Sequence, residues 1–158
     1  MKAQIRKKPH TTLGEIGLDN FATYLMNRIM ARYNANLRSQ IQSLGLNTAK
    51  MRTLAVLSII KAPLISELAV YSVSEISSLS RALDALENDG LIIRSMDPND
   101  SRAFRVSITA AGRDAFEKMW PDMLKSYDAM FAGIDDEERH ACIGTLKKML
   151  NNTRIHDF

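Results

Sequence analysis

Four residues in the middle of the chain have types and spacing suited to contacting a polyanion. On a helix turning about 100° per residue, Ser74, Ser77, Ser78, Arg81 and Ala85 fall on one face. Ile76, Leu79, Leu83 and Leu86 fall on the opposite face and are expected to pack inward. A solvated helix face usually carries several Lys and Glu, whereas this one offers hydroxyls and a single guanidinium. Serine hydroxyls can donate or accept at base edges and phosphates, and Arg81 can fork onto guanine or a phosphate. Further along, Asp100, Arg102 and Arg105 gather around a turn between two short apolar runs. Arginine at a hairpin tip suits a narrow, A·T-rich minor groove, and Asp100 is expected to pair with a nearby arginine and hold the tip.

Other chemistries find little support. His10, His140 and His156 are scattered, and the chain has no Gly-rich phosphate loop and no GxSxG nucleophile elbow. Asp136 and His140 stand four residues apart, a spacing that can hold a metal. Cys142 projects about 200° away from His140 on the same helix, so the three do not converge. No enzymatic activity, cofactor or metal is expected. Cys142, between Ala141 and Ile143, reads as a core or interface thiol. Met119, Trp120, Met123, Tyr24 and Met26 could line a pocket, but helical spacing makes them core candidates first, and no ligand-binding residue is assigned.

The elements that must position these residues follow from periodicity. Residues 13–44 read as one long helix, apolar at Leu18, Phe21, Leu25, Ile29, Tyr33, Leu37, Ile41 and Leu44, and stopped by Gly45. A stripe that long is expected to meet a partner chain, in coiled-coil fashion. A helix capped by Asn47 or Thr48 runs to about Ile60, with Met51, Leu54 and Leu57 inward, and Lys61-Ala62-Pro63 breaks it. A short helix covers Ile65–Tyr71. Ser72-Val73-Ser74-Glu75 then reads as a capping box opening the serine-bearing helix, which Gly90 ends. Leu91–Arg94 and Phe104–Ile108 predict a hairpin around the turn residues 97–101. Thr109 caps a long helix, and a last one spans about Asp136–Thr153.

The sequence has 158 residues, 46% apolar and 25% charged, which fits a folded domain and not a disordered chain. The single cysteine excludes an internal disulfide. No apolar run approaches the roughly 18–20 residues of a membrane helix, and a cytoplasmic location is expected. Net charge is +3 but uneven. Residues 1–47 hold seven basic against two acidic residues, giving +5; residues 48–110 hold seven of each.

Taken together these residues resemble the MarR/SlyA family of winged helix-turn-helix transcriptional regulators. The resemblance rests on Glu67-Leu68-Ala69, Ser77-Ser78-Leu79-Ser80-Arg81 with Asp84, Leu86-Glu87, Gly90-Leu91-Ile92, Asp97-Pro98-Asn99-Asp100-Ser101-Arg102 and Ile108-Thr109-Ala110-Ala111-Gly112-Arg113. It implies a mainly α fold with a small β-hairpin wing: a winged helix-turn-helix DNA-binding lobe plus a helical dimerisation region. Residues 1–12 would be a mobile basic tail, 13–45 the N-terminal dimerisation helix, 46–109 the DNA-binding lobe and 110–158 the C-terminal dimerisation helices. It further implies a homodimer on a pseudo-palindromic operator in double-stranded DNA, acting as a repressor that a small phenolic or carboxylated aromatic ligand releases. Ser74, Ser77, Ser78 and Arg81 would contact the major groove, and Arg102, with Arg105 second, the minor groove, with Asp100 stabilising the wing. Val73 stands where many relatives have glycine. Cysteine-based peroxide sensing is not carried over, because that branch of the family uses a cysteine in the first helix. The rival expectation is a dimeric winged-helix adaptor whose neutral lobe binds a protein instead of DNA.

Overall fold

Thr12 and Glu15 open the described chain with a reciprocal cap, the Glu15 N–H on the Thr12 hydroxyl and the Thr12 N–H on the Glu15 carboxylate. The computed structural model describes residues 11–156, so the expected basic tail lies almost wholly outside the described residues. Seven helices and a two-stranded antiparallel sheet follow among those residues: α1 Leu13–Ile16, a 3-10 turn Leu18–Asn20, α2 Ala22–Ser43, α3 Thr48–Ile59, α4 Ile65–Tyr71, α5 Ile76–Asn88, β1 Ile92–Met96, β2 Phe104–Ile108, α6 Ala110–Met130 and α7 Asp136–Thr153. This is the mainly α fold with a hairpin wing.

The single helix expected over 13–44 is corrected to α1, the 3-10 turn and α2. Gly17 takes φ 75° and Phe21 is extended, so the helix is broken twice before Ala22. Left-handed backbone is available to glycine at no steric cost, which the apolar periodicity did not register.

Leu37 and Ile41 of α2, Met51, Leu54 and Leu57 of α3, Leu68 of α4, Leu79, Leu83 and Leu86 of α5, Ile92 and Val106 of the sheet and Met119 of α6 form one apolar cluster. The C-terminal half of α2 and the first half of α6 therefore share their core with α3–α5. Ile76, expected inward, is 57% exposed; it opens α5 before the helix has reached the core.

Three helices end in the same way. After α2, α4 and α5 the residue in left-handed conformation is Gly45 (φ 71°), Val73 (φ 51°) and Gly90 (φ 71°). In each the following N–H reaches back to the helix, Leu46 to Ile41, Ser74 to Ala69 and Leu91 to Leu86. That motif consumes Ser72 and Ser74 in ending α4. The capping box expected at Ser72 and Glu75 is thus absent: Glu75 is the N-cap of α5 without a side-chain cap, and the Ser72 hydroxyl is buried without a partner.

The wing pairs Ile92 with Ile108 through Met96 with Phe104. On its other side β2 meets the Pro63-Leu64 segment, where the Val106 N–H bonds to the Pro63 carbonyl at 3.0 Å. Thr109 ties the wing's end to the end of α5: its N–H reaches the Leu91 carbonyl, and its hydroxyl donates to Gly90 and accepts from the Gly112 N–H. A Cβ at Gly112 would lie 2.0 Å from the Leu91 carbonyl oxygen. Only glycine fits that close approach.

Candidate nucleic-acid interface

α5 brings Ser77, Ser78 and Arg81 to one solvent-exposed face, with exposed Ser80 beside them. Leu79, Ala82, Leu83 and Leu86 anchor the opposite face in the core. The Arg81 Nε donates to the Ser77 carbonyl at 3.4 Å, which lays the side chain along the helix. Ser74 precedes α5, is half-buried and donates its hydroxyl to the Ser72 carbonyl at 3.2 Å. It therefore sits at the mouth of the face.

The wing tip is built around Asp97, not Asp100. Asp97 is 7% exposed. Its Oδ1 accepts the N–H groups of Asn99 at 2.8 Å and Asp100 at 3.0 Å, and its Oδ2 accepts from the Arg105 Nε at 2.5 Å. The backbone bond from Asn99, together with the Arg105 guanidinium, holds the Asp97 carboxyl below the usual carboxylate range. Among the described residues the Asp100 carboxylate accepts only the backbone N–H of Arg102, at 2.9 Å, so the arginine pairing expected of it belongs to Asp97. Arg105 also donates to the Ala62 carbonyl at 2.9 Å, and Ala62 is left-handed at φ 49°. The Arg105 side chain thus braces the α3–α4 connection against the wing. Arg102 is exposed and enters no ion pair among the described residues.

Two ion-pair groups of the lobe escaped sequence reasoning. Arg94 on β1 reaches Glu87 through Nε at 2.8 Å and Nη2 at 2.5 Å, reaches Asp84 through Nη1 at 2.9 Å, and gives its backbone N–H to Glu87 at 3.0 Å. The Arg94 side-chain bonds hold the Glu87 carboxyl below its ordinary value, and Glu87 in turn raises Arg94. Lys50 pairs with Asp89 at 3.1 Å. An acid seven residues before an arginine across a Gly turn is the signal that could have shown the first; the second crosses 39 positions and has none.

These pairings change what a neutral lobe means. Of its acids, Asp84, Glu87, Asp89 and Asp97 are tied to Arg94, Lys50 or Arg105. Glu67 accepts the Leu64 N–H at the start of α4. Arg52, Lys61, Arg81 and Arg102 have no ion-pair partner among the described residues. By the same criterion Glu67, Glu75 and Asp100 also lack an ion-pair partner, so the uncommitted charge of the lobe is four cations against three anions, with Arg81 and Arg102 among the exposed cations.

Away from this face, Ala55, Ser58 and Ile59 of α3 and Phe116, Glu117 and Trp120 of α6 line a solvent-open cavity of about 470 Å³. Trp120 is 47% exposed, whereas Met119 is buried in the core. Cys142 is exposed in the protomer, which removes the core alternative for it. Among the described residues no group of three His, Cys, Asp or Glu could hold a metal, and no helix is long and apolar enough to cross a membrane.

Comparison with known proteins agrees with the geometry. The MarR family model matches residues 46–104, from two residues before α3 to the first residue of β2. A MarR-family transcriptional regulator from Silicibacter pomeroyi is 51% identical, with a TM-score of 0.89, covering 94% of this chain and 100% of that one. BpsR of Bordetella bronchiseptica, whose DNA binding is regulated by 6-hydroxynicotinic acid, is 25% identical with a TM-score of 0.71, covering 81% and 97%. The transcriptional repressor IacR of Pseudomonas putida is 23% identical over 124 residues, 78% of this chain and 74% of its own. The chain belongs to the MarR family and is a winged-helix, DNA-binding transcriptional regulator.

Proposed function

We propose that the protein is a homodimeric repressor that binds a pseudo-palindromic operator and is released by a small aromatic ligand. The observation that carries the DNA-binding part is the exposed Ser77, Ser78 and Arg81 face of α5, flanked by the uncommitted Arg102 on the wing. Ser77, Ser78 and Arg81 enter the major groove, with Ser74 at its edge. Arg102 enters the flanking minor groove, and Arg105 serves it by holding Asp97 in place. Residues 46–109 form the DNA-binding lobe.

Dimerisation is supported by apolar side chains that the protomer leaves in solvent. Leu18, Phe21, Leu25 and Ile29 near the N-terminus and Leu146 and Leu150 of α7 are each at least 38% exposed. Residues 13–45 and 110–158 supply that interface. The cavity between α3 and α6 is of a size to hold a one- or two-ring ligand. The regulation of BpsR by 6-hydroxynicotinic acid and the repressor function of IacR support, by similarity, an aromatic acid as effector and repression as the sign.

Binding measured against salt tests the DNA-binding part. Wild type is expected to lose affinity linearly in log[salt] as counterions are released. Arg102→Ala should flatten that slope by about one and weaken all sequences alike, while Arg81→Ala should cost about 1–3 kcal/mol and blunt sequence preference. A salt-independent partner that is a protein would instead establish the adaptor.

A further inference from the structure

Asp84 presents a problem that the interface has to solve. It lies seven residues after Ser77 and three after Arg81, so the helical repeat puts it on the same stripe of α5. Its side chain is 57% exposed. A free carboxylate on a face that meets phosphates would repel them. The wing supplies the remedy: Arg94 bonds Asp84 at 2.9 Å while its other nitrogens are fixed on Glu87.

We propose that Arg94 is a positioning residue that masks the Asp84 and Glu87 carboxylates, making the C-terminal half of the DNA-reading stripe compatible with phosphate. The Arg94 side chain is only 27% exposed and is held at its backbone N–H as well, so it remains at this post and does not itself reach for DNA. Masking thereby differs from direct contact: the same residue acts through two carboxylates and not through a phosphate. The inference rests on the DNA-binding reading above and adds to it a determinant outside the groove-facing residues.

The test uses the full-length protein and the DNA that wild type selects from a random library, at 100 mM salt, with Asp84→Asn, Arg94→Gln and the double variant. Asp84→Asn removes an acid from the face and leaves Arg94 balanced by Glu87 alone. It should tighten binding by about threefold per half-site, near tenfold for two, an effect that fades with salt. Arg94→Gln, melted alongside wild type to verify folding, should weaken binding by about tenfold or more, because two carboxylates are uncovered. Adding Asp84→Asn to Arg94→Gln should recover most of the loss. Weaker binding by Asp84→Asn would overturn the inference, since Asp84 would then be a base contact. A double variant as weak as Arg94→Gln would overturn it too, since Arg94 would then act by holding the wing. Wild type that selects no DNA would defeat the DNA-binding reading itself, before any variant is compared.

Discussion

Val73→Gly is expected to stabilise the protein. Val73 holds the left-handed position that ends α4, at φ 51°, where the equivalent turns after α2 and α5 use Gly45 and Gly90. For a residue with a Cβ that conformation costs about 1–2 kcal/mol, and β-branching is the worst case. Glycine removes the clash but makes the unfolded chain freer, which takes back about 0.5–1 kcal/mol. Little burial is lost, because Val73 is 78% exposed. The net gain is about 0.5–1 kcal/mol, which for a chain of this size raises Tm by about 1–4 °C. Urea unfolding followed by circular dichroism, at one fixed protein concentration, reads it as a higher midpoint with an unchanged slope. Val73→Ala keeps the Cβ and should recover at most half of the gain. A midpoint for Val73→Gly at or below wild type would refute the reasoning, since the turn would then hold valine without strain.

Three further outcomes follow from the geometry. Gly112→Ala should cost about 3 kcal/mol or more, at the upper end of overpacking, because the new methyl meets the Leu91 backbone and not a flexible side chain; a melt within a few degrees of wild type would contradict this. The wing should be acid-labile: the folded Asp97 carboxyl sits below its unfolded value, so its contribution is complete above about pH 3.9 and is lost as pH falls through the lower folded value. Hydrogen exchange at the Asn99 and Asp100 amides should rise only there, and Asp97→Asn should already show it at pH 7. Trp120, the chain's single tryptophan, should change its fluorescence when an aromatic acid enters the α3–α6 cavity, and no response across a panel that releases DNA would move the effector site elsewhere.

Much of the arrangement was legible because it rests on local rules. Asn47 and Thr109 cap their helices as their types and positions indicate, and Leu79, Leu83 and Leu86 go inward on a 3.6 period. The hairpin follows from alternation over Phe104–Ile108 and from the β-branched run after Gly90, although that first strand runs over Ile92–Met96 and not 91–94. What was illegible depends on geometry that no local window contains. The Ser72–Glu75 capping box gave way to the ending of α4, because the same four residues satisfy only one of the two motifs. Asp97 and Asp100 are alike in sequence, and only the fold buries one and turns the other outward. Arg105 was a wing-tip candidate until β2 brought it against Asp97 and the Ala62 carbonyl. A sequence sum also cannot show which charges of the lobe are tied to each other: Arg94, Lys50 and Arg105 cover four of its seven acids, while Arg81 and Arg102 stay exposed and without an ion pair among the described residues.

The central claim is sequence-specific DNA binding through α5 and the wing. Selection of a random DNA library with the purified protein at about 100–150 mM salt, where non-specific phosphate binding fades, tests it most directly. The account predicts recovery of an inverted repeat with half-sites about one helical turn apart, lost or relaxed when Arg81→Ala is used in place of wild type. A library that stays unenriched, both for protein as isolated and for protein refolded from denaturant to strip any bound ligand, would contradict it.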